Sequence, residues 1–450
     1  MSSAATPACA APATISLSAE DSALLERVQR DSFHFFSVYV NPDNGLVADS
    51  SQAESPCSIA AVGFALSSYP VAVEHGWMSR AQALDRTLAA LRFFDAAQKD
   101  GELNATGYKG FFFHFLHMAS GQRMWQSELS VIDTALLLSG MLLAARYFSG
   151  SDGLEQEVRT RAVAIYSRVD WPWMQNGGAA FALAWTPEKG FGRHRWVGYS
   201  EGLIVYVLAL GSPTHPVTPA AYAQWLSGYR WKRVYGLSYV YAGPLFIHQF
   251  SHLWIDFRGI RDAYMRDRDL DYFENSRRAT CVHQEYARRN PKKFRNYHGL
   301  CWGLTASDGP GPLRERVHGR ERKFLGYRAR GAPYGPDDGT VAPWASIASL
   351  PFAPDIVMPT LKYLAALTYD EDNAFGFTAS FNPTMAPRHD DIGWLSPSHF
   401  GLNQGPIVVM IENYRNDFAW ALMRGCPYIR RGLERAHFSG GWLVAERITR

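Results

Sequence analysis

Three carboxylates stand where the surrounding sequence offers them no partner. Between Trp125 and Phe148 the chain reads WQSELSVIDTALLLSGMLLAARYF, an apolar stretch of helix length that carries Glu128 and Asp133 and no basic residue before Arg146. Glu201 opens a second apolar run, GYSEGLIVYVLALGS, in the same manner. Burying a lone carboxylate costs several kcal/mol, so this placement predicts a cavity where water, a ligand or hydrogen-bond donors meet the charge. Two or three carboxylates at the mouths of buried helices point to acid/base chemistry on a neutral, polyhydroxylated substrate. Glu128 and Asp133 lie about 140° apart around a helix, so one is expected to be catalytic and the other supporting. At Glu201 the helix dipole favours the ionised form, whereas apolar neighbours favour the protonated form a general acid needs. The plainer alternatives are that Glu128 caps a helix and that Asp133 is held by a buried arginine or by backbone donors.

Other motifs carry competing readings. Gly198-Tyr199-Ser200-Glu201-Gly202 satisfies the GxSxG pattern, but a hydrolase of that kind needs a parallel sheet and the chain shows no βαβ alternation. His248, His252 and Asp256 fall at i, i+4 and i+8, yet along one helix the third would sit about 12 Å from the first, too far for one ion. No metal or other cofactor is therefore expected, and His248, Asp256 and Arg258 are assigned to substrate hydroxyls or helix packing. Asp308 and Asp337-Asp338 occupy Gly/Pro turns, where Asp commonly stabilises its own backbone. Trp302, Tyr327, Tyr334 and Trp344 flank the same loops and raise Asp308 and Asp338 as substrate contacts. Trp125, Trp254, Trp302 and Trp344 are candidate stacking platforms, and Asn403 and Gln404 further polar contacts. Glu412, inside GPIVVMIENYR, is another carboxylate in an apolar helix and reads as structural, paired with Arg415 or another base.

Composition excludes several classes. Lys and Arg number 45 against 42 Asp and Glu and are spread out rather than gathered into an arm, which argues against nucleic acid as a partner. Aromatic residues make up 14% of the chain, more flat amphipathic surface than a core alone requires, and stacking on sugar rings would use it. The five cysteines are far apart and contain no CxxC, so neither a zinc knuckle nor a dense disulfide framework is indicated. No window reaches the ~18 apolar residues of a membrane span, and the small, uncharged N-terminus lacks the pattern of an export signal.

The elements that must hold these acids are mostly helical. Residues 1–16 read as a disordered lead, and 17–450 as a single catalytic domain. Apolar spacing predicts helices near 19–40, 56–75, 79–98, 127–148, 153–169, 200–210, 218–228, 245–264, 268–289, 343–350, 355–369 and 406–424. Ser18, Ser79 and Ser127 are the expected caps of the first, third and fourth. GFFFHFLHM with QRMWQ, and AFALAWTPEKGFGRHRWVGY, read as hairpins on the connections. The Gly/Pro/Arg-rich stretch 299–341 shows little periodicity and is expected to be a functional connection. Twelve helices in pairs predict an all-α (α/α)6 toroid around a cleft.

At this level of detail the text resembles a known family. WQSELSVIDTALLLSG, GYSEGLIVYVLALGSPTHP, GPLFIHQFSHLWIDFRGIRDAYMR, DYFENSRRAT, WGLTASDGP, RGAPYGPDDGTVAPWASIASLPFAP and LNQGPIVVMIENYR together resemble the glycoamylase-like family, which includes the endo-β-1,2-glucanases of glycoside hydrolase family 144. The resemblance spans roughly residues 25–435. It implies an (α/α)6 barrel, anomer-inverting hydrolysis of β-1,2-linked glucan without a metal, and a periplasmic role. It also implies that the family's acids fall on Glu128 with Asp133, and on Glu201. Two positions depart from the family pattern: Asn403 stands before Gln404-Gly405-Pro406 where relatives carry Asp, and GYNE reads GYSE, with Ser200 replacing an amide. The expectation is a glycoside hydrolase in which Glu201 protonates the leaving oxygen while Glu128 or Asp133 activates water. The rivals are a transglycosylase, a non-catalytic carbohydrate-binding protein and a polysaccharide lyase.

Overall fold

The computed structural model describes residues 16–369, 374–387 and 392–444. The expected lead, apart from residue 16, lies outside them. Among the described residues the α-helices are α1 (Ala19–Val38), α2 (Ile59–Glu74), α3 (Arg80–Ala96), α4 (Val131–Tyr147), α5 (Gly153–Ser167), α6 (Trp171–Gln175), α7 (Leu203–Gly211), α8 (Pro219–Leu226), α9 (Ala263–Arg266), α10 (Tyr272–Arg289), α11 (Pro343–Ile347), α12 (Pro354–Thr368), α13 (Gly401–Asn416), α14 (Phe418–Arg424) and α15 (Pro427–Arg435).

Hydrophobicity sorts these helices into two layers. The segments α2, α4 and α7 are apolar on every side and buried on nearly every side, the pattern of helices enclosed by others. Exposed polar residues interrupt α1, α3, α5 and α10, which bury only part of their circumference. The inner ring runs α2, α4, α7, two 3₁₀ turns (Leu245–His248 and Phe250–Leu253), α11 and α13, and α13 packs back on α2. Where the ring is not closed by helix contact it is closed by hydrogen bonds: Ile204 N–H to Ser251 Oγ at 3.1 Å, and Gln249 Nε2 to the Ala345 carbonyl at 2.6 Å. Outside it stand α1, α3, α5, α8, α10 and α12, each alternating in sequence with an inner segment. This is the (α/α)6 toroid.

Local chemistry explains the boundaries. Ser18 and Ser79 each form a capping box, with Asp21 and with Gln82. The expected cap Ser127 is displaced by Ser130, because Leu129–Ser130 pairs with Ala184–Thr186 as a strand and α4 cannot begin before it. Glu128 therefore precedes the helix instead of riding on it. The helix expected over 245–264 is replaced by the two 3₁₀ turns, after which Ile260–Arg261 pairs with Ser439–Gly440 and Asp262 caps α9. Of the expected hairpins, Ala184–Thr186 does pair with Gly190–Phe191. Phe115–Leu116 instead pairs with Cys57–Ser58, and meets the QRMWQ segment at the single bridge Leu116 to Arg123. Within 299–341, where no periodicity was legible, Leu313–Val317 and Arg320–Phe324 form a five-pair hairpin.

Candidate active site

At one end of the ring a cavity of about 500 Å³ opens between the inner segments. Four carboxylates line it, Asp49, Asp133, Glu201 and Asp308, together with His114, Tyr327, Asn403, Trp344 and several apolar side chains. Asp133 sits in the first turn of α4, where Ser130 clamps it: Ser130 Oγ accepts from the Asp133 N–H at 3.2 Å and donates to Oδ2 at 2.5 Å. Glu201 lies in the turn before α7, its carbonyl held by Ser251 Oγ at 3.2 Å. Asp49 is fixed by backbone bonds on both sides, Asp49 N–H to the Pro56 carbonyl and Gly401 N–H to the Asp49 carbonyl. Asp308 ends a short ladder in which Ala306–Ser307 pairs with Arg328–Ala329, and its Oδ2 accepts from Ser396 Oγ at 3.0 Å.

His114 organises the charge. The strand pairing of Phe115 with Ser58, and the bond from the His114 N–H to the Glu128 carbonyl, aim its ring between two acids. Its Nδ1 is 3.0 Å from Glu128 Oε1 and its Nε2 is 3.6 Å from Asp133 Oδ2. Burial opposes its charge, but Asp133, Glu128 and Asp49 outweigh burial and raise the imidazole to about 9. It is therefore a cation at neutral pH, and it holds Glu128 below its ordinary value despite burial there. Among the described residues Glu201 has no such partner. Burial and, secondarily, the field of Asp133 raise its carboxyl to about 7. Burial raises Asp49 to about 6, with Asp133 and Asp308 adding to the shift and His114 opposing it, and burial raises Asp308 as well. The cavity thus holds both an acid faced by the His114 cation, Asp133, and an acid that keeps its proton near neutrality, Glu201, the separation of roles that general acid/base catalysis requires.

The residues singled out from sequence are distributed unevenly. Asp133, Glu201, Asp308, Trp344 and Asn403 line the cavity. Glu128 stands behind His114, its side chain 37% exposed. Trp125 is 67% exposed and lies beside the cavity-lining Phe115, ring centroids 5.4 Å apart. The others are placed elsewhere. Trp254 is enclosed between inner segments and donates to Ser67 Oγ; Trp302 donates to Thr360 Oγ1. His248 is fully buried with Nε2 at the Ala242 carbonyl, and Gln404 is buried with Nε2 on the Phe377 carbonyl. Asp256 and Arg258 pair with each other and with Arg424 and Asp417, and Asp338 pairs with the fully buried Arg330. Glu412 is held not by Arg415 but by Gln29, His75 and Asn416.

Sequence reasoning passed over Asp49 and His114 and gave Tyr327 no role of its own. Asp49 lies in polar text (VADSSQ) without the apolar contrast that marked Asp133, and only the fold brings it to the cavity. His114, a basic residue inside GFFFHFLHM, was a visible signal of the same kind as Asp133. Tyr327 is 65% exposed at the cavity lining, where Asp49, Asp308, Asp133 and Glu201 face the same space.

Residues 193–427, just over half of the chain, match the glycoamylase family, whose description reads "Putative glucoamylase". The chain belongs to this family. A curated relative, an exo β-1,2-glucooligosaccharide sophorohydrolase (non-reducing end) of Parabacteroides distasonis, is 27% identical over 92% of this chain. The chain spans 58% of that relative's length. Among solved structures, a "putative glucoamylase" from Bacteroides uniformis superposes with a TM-score of 0.83 at 28% identity, covering 95% of this chain and all of the other. An endo-β-1,2-glucanase from Chitinophaga pinensis, solved with sophorotriose and glucose, gives 0.80 at 25% identity, again over 95% of this chain and all of the other.

Proposed function

We propose that this chain is a glycoside hydrolase that cleaves β-1,2-linked glucan by an inverting acid/base mechanism. The observation that carries the reading is the contrast between Glu201, proton-bearing near neutrality, and Asp133, clamped by Ser130 and faced by the His114 cation, in one cavity. The activities named for the relatives from Parabacteroides distasonis and Chitinophaga pinensis support the choice of linkage. Glu201 gives its proton to the glycosidic oxygen as the bond from that oxygen to the anomeric carbon breaks. A water on the opposite face of the sugar attacks the anomeric carbon and passes its proton to Asp133, leaving the product with inverted configuration. Glu128 acts through His114, and Trp125 at the rim offers a face for a sugar ring beyond the cavity.

Incubation with a panel of linkage-defined glucans, read by chromatography and anomer-resolved NMR, tests the reading. β-1,2-Glucan should yield short products of α configuration, and Glu201→Gln should lower kcat by about 10²–10⁴-fold, the contribution of a positioned acid. No cleavage of β-1,2-glucan, or retained activity in Glu201→Gln, would overturn it.

A further inference from the structure

The ladder that places Asp308 in the cavity does not stop there. After the turn Gly309-Pro310-Gly311-Pro312 the chain continues as the hairpin Leu313–Val317 with Arg320–Phe324, whose turn lies against the body with His318 Nε2 3.2 Å from the Thr384 carbonyl, and returns to the cavity at Tyr327. Both feet of this arm are therefore rim residues, and five residues of strand carry it about 17 Å from its base. Its root is rigid. The buried guanidinium of Arg330 donates to the carbonyls of Ser307, Asp308, Leu325 and Gly326 and pairs with Asp338.

The arm concentrates positive charge. Its residues 313–324 hold five Lys and Arg against Glu315 and Glu321, an excess of three in twelve residues where the whole chain has three in 450. Alternation along the strands puts Arg320, Arg322 and Glu315 on one side, where Arg322 bonds the carbonyls of Lys292 and Lys293 and packs on Phe294. The other side presents Arg314, Arg316 and Lys323 with Glu321 as the one acid. Arg314 and Lys323 stand directly opposite each other, a like-charge pair that weakens the hairpin. Among the described residues the side chains of Arg316, Arg320 and Lys323 have no hydrogen bond or ion pair, and Arg314 has one ion pair, to Glu321 at 3.6 Å with both side chains over 70% exposed. Arg316 stands opposite Glu321 and Arg322 opposite Glu315, so the pair without an acid across from it is Arg314 with Lys323, one step from the base of a hairpin rooted at the cavity, and it is suited to anions arriving with the substrate.

We propose that this arm binds anionic groups, carboxylate or phosphate, carried as substituents on the glucan whose backbone enters the cavity. The proposal rests on the glucan-hydrolase reading. The ionised acids of the cavity repel such groups and the arm receives them outside, so substituted chains bind in one register, with unmodified sugars at Glu201.

The test compares neutral β-1,2-glucan with the same polymer sparsely carboxymethylated or phosphorylated, using wild type and the quadruple variant Arg314→Gln, Arg316→Gln, Arg320→Gln, Lys323→Gln. Wild type should show a KM about five- to tenfold lower for either charged polymer at low salt, a gain that disappears at about 1 M NaCl, where the screening length is a few ångströms. The variant should lose that gain and keep its kinetics on neutral glucan. Equal KM values for charged and neutral polymer in wild type, or a preference that survives in the variant, would overturn the proposal. So would binding to anionic phospholipid vesicles with no gain on charged glucan, since the arm's partner would then be a lipid surface. Calorimetric binding of the same polymers separates this from the catalytic reading. If neutral glucan is not cleaved, a charged-over-neutral binding preference lost in the variant still supports the arm, and its absence overturns it.

Discussion

Glu201 and His114 are the two side chains whose ionisation the fold alters most usefully, and they alter it in the same direction for opposite reasons. Glu201 is raised from 4.5 to about 7 because surrounding protein disfavours its charge, with Asp133 contributing. A proton is therefore held by the folded state and released by the unfolded state between those values. The stability from this group is full below pH 4.5, declines as pH rises toward 7, and becomes a fixed cost above it. Glu201→Gln, although slowed in catalysis, should consequently be more stable at pH 8, by ~2 kcal/mol, and nearly neutral in its effect at pH 4; parallel denaturant titrations at the two pH values check this. An equal effect at both would contradict the assignment of a buried acid. His114 is raised from 6.5 to about 9 by its carboxylates despite burial, so its contribution is full below 6.5 and lost through 9. Replacing it by Gln keeps a hydrogen-bond donor but removes the cation between Glu128 and Asp133. We expect kcat to fall ~10²-fold with KM little changed, and the acid limb of the rate profile to move to higher pH, because Glu128, which His114 holds below its ordinary value, loses charge more readily without that cation. A loss confined to stability, with an unmoved profile, would make His114 merely structural.

At the scale of elements, the position of Asp133 depends on how closely α4 lies against α2. A side chain on Gly140 would place its first carbon 2.1 Å from the Gly63 carbonyl oxygen, and one on Gly63 would meet the Leu136 carbonyl at 2.4 Å. Backbone cannot yield as a flexible side chain would. Gly140→Ala should cost about 3 kcal/mol and also lower kcat, since the shift is transmitted two turns along α4 to the acid; a melting curve and a rate measurement on the same preparation test both. The reading of sequence succeeded where this layer speaks through composition: runs apolar on every side marked the inner helices, and the acids embedded in them, Asp133 and Glu201, line the cavity. It failed where tertiary pairing overrides local pattern. Ser127 has every local quality of a cap, but the strand Leu129–Ser130 postpones the helix by three residues, and the histidines at 248 and 252 have helical spacing on a segment that folds as 3₁₀ turns. Asp49 was illegible for a different reason, since its neighbours are polar and its place in the cavity comes from pairing across more than 300 residues, Ser50 with Phe400 and Gly401 with Asp49.

For the molecule as a whole, the decisive contact is the one that joins its ends. The last inner helix, α13, packs on the first inner helix, α2, where the ring closes, and on the first outer helix, α1, so residues near 29, 75 and 412 meet at the seam. At that seam Glu412, buried in α13, accepts from Gln29 Nε2 at 2.9 Å and from Asn416 Nδ2 at 2.7 Å, and lies 2.8 Å from His75 Nε2 on the C-cap of α2. His75 passes the connection on to Glu26, which also takes Arg415. Removing the carboxylate strands several donors from three helices at once, the situation in which breaking a buried polar network is costly. Glu412→Ala should therefore destabilise by about 3 kcal/mol, which for a chain of this length is a fall in Tm of only about 3 °C. The form of the transition is the sharper test. Because the ring has no independent half, the seam should weaken all twelve segments together, and calorimetry should record one lowered peak. A second, earlier transition would mean that the segments nearest the seam open on their own, and that the toroid is held together sector by sector instead of by its closure.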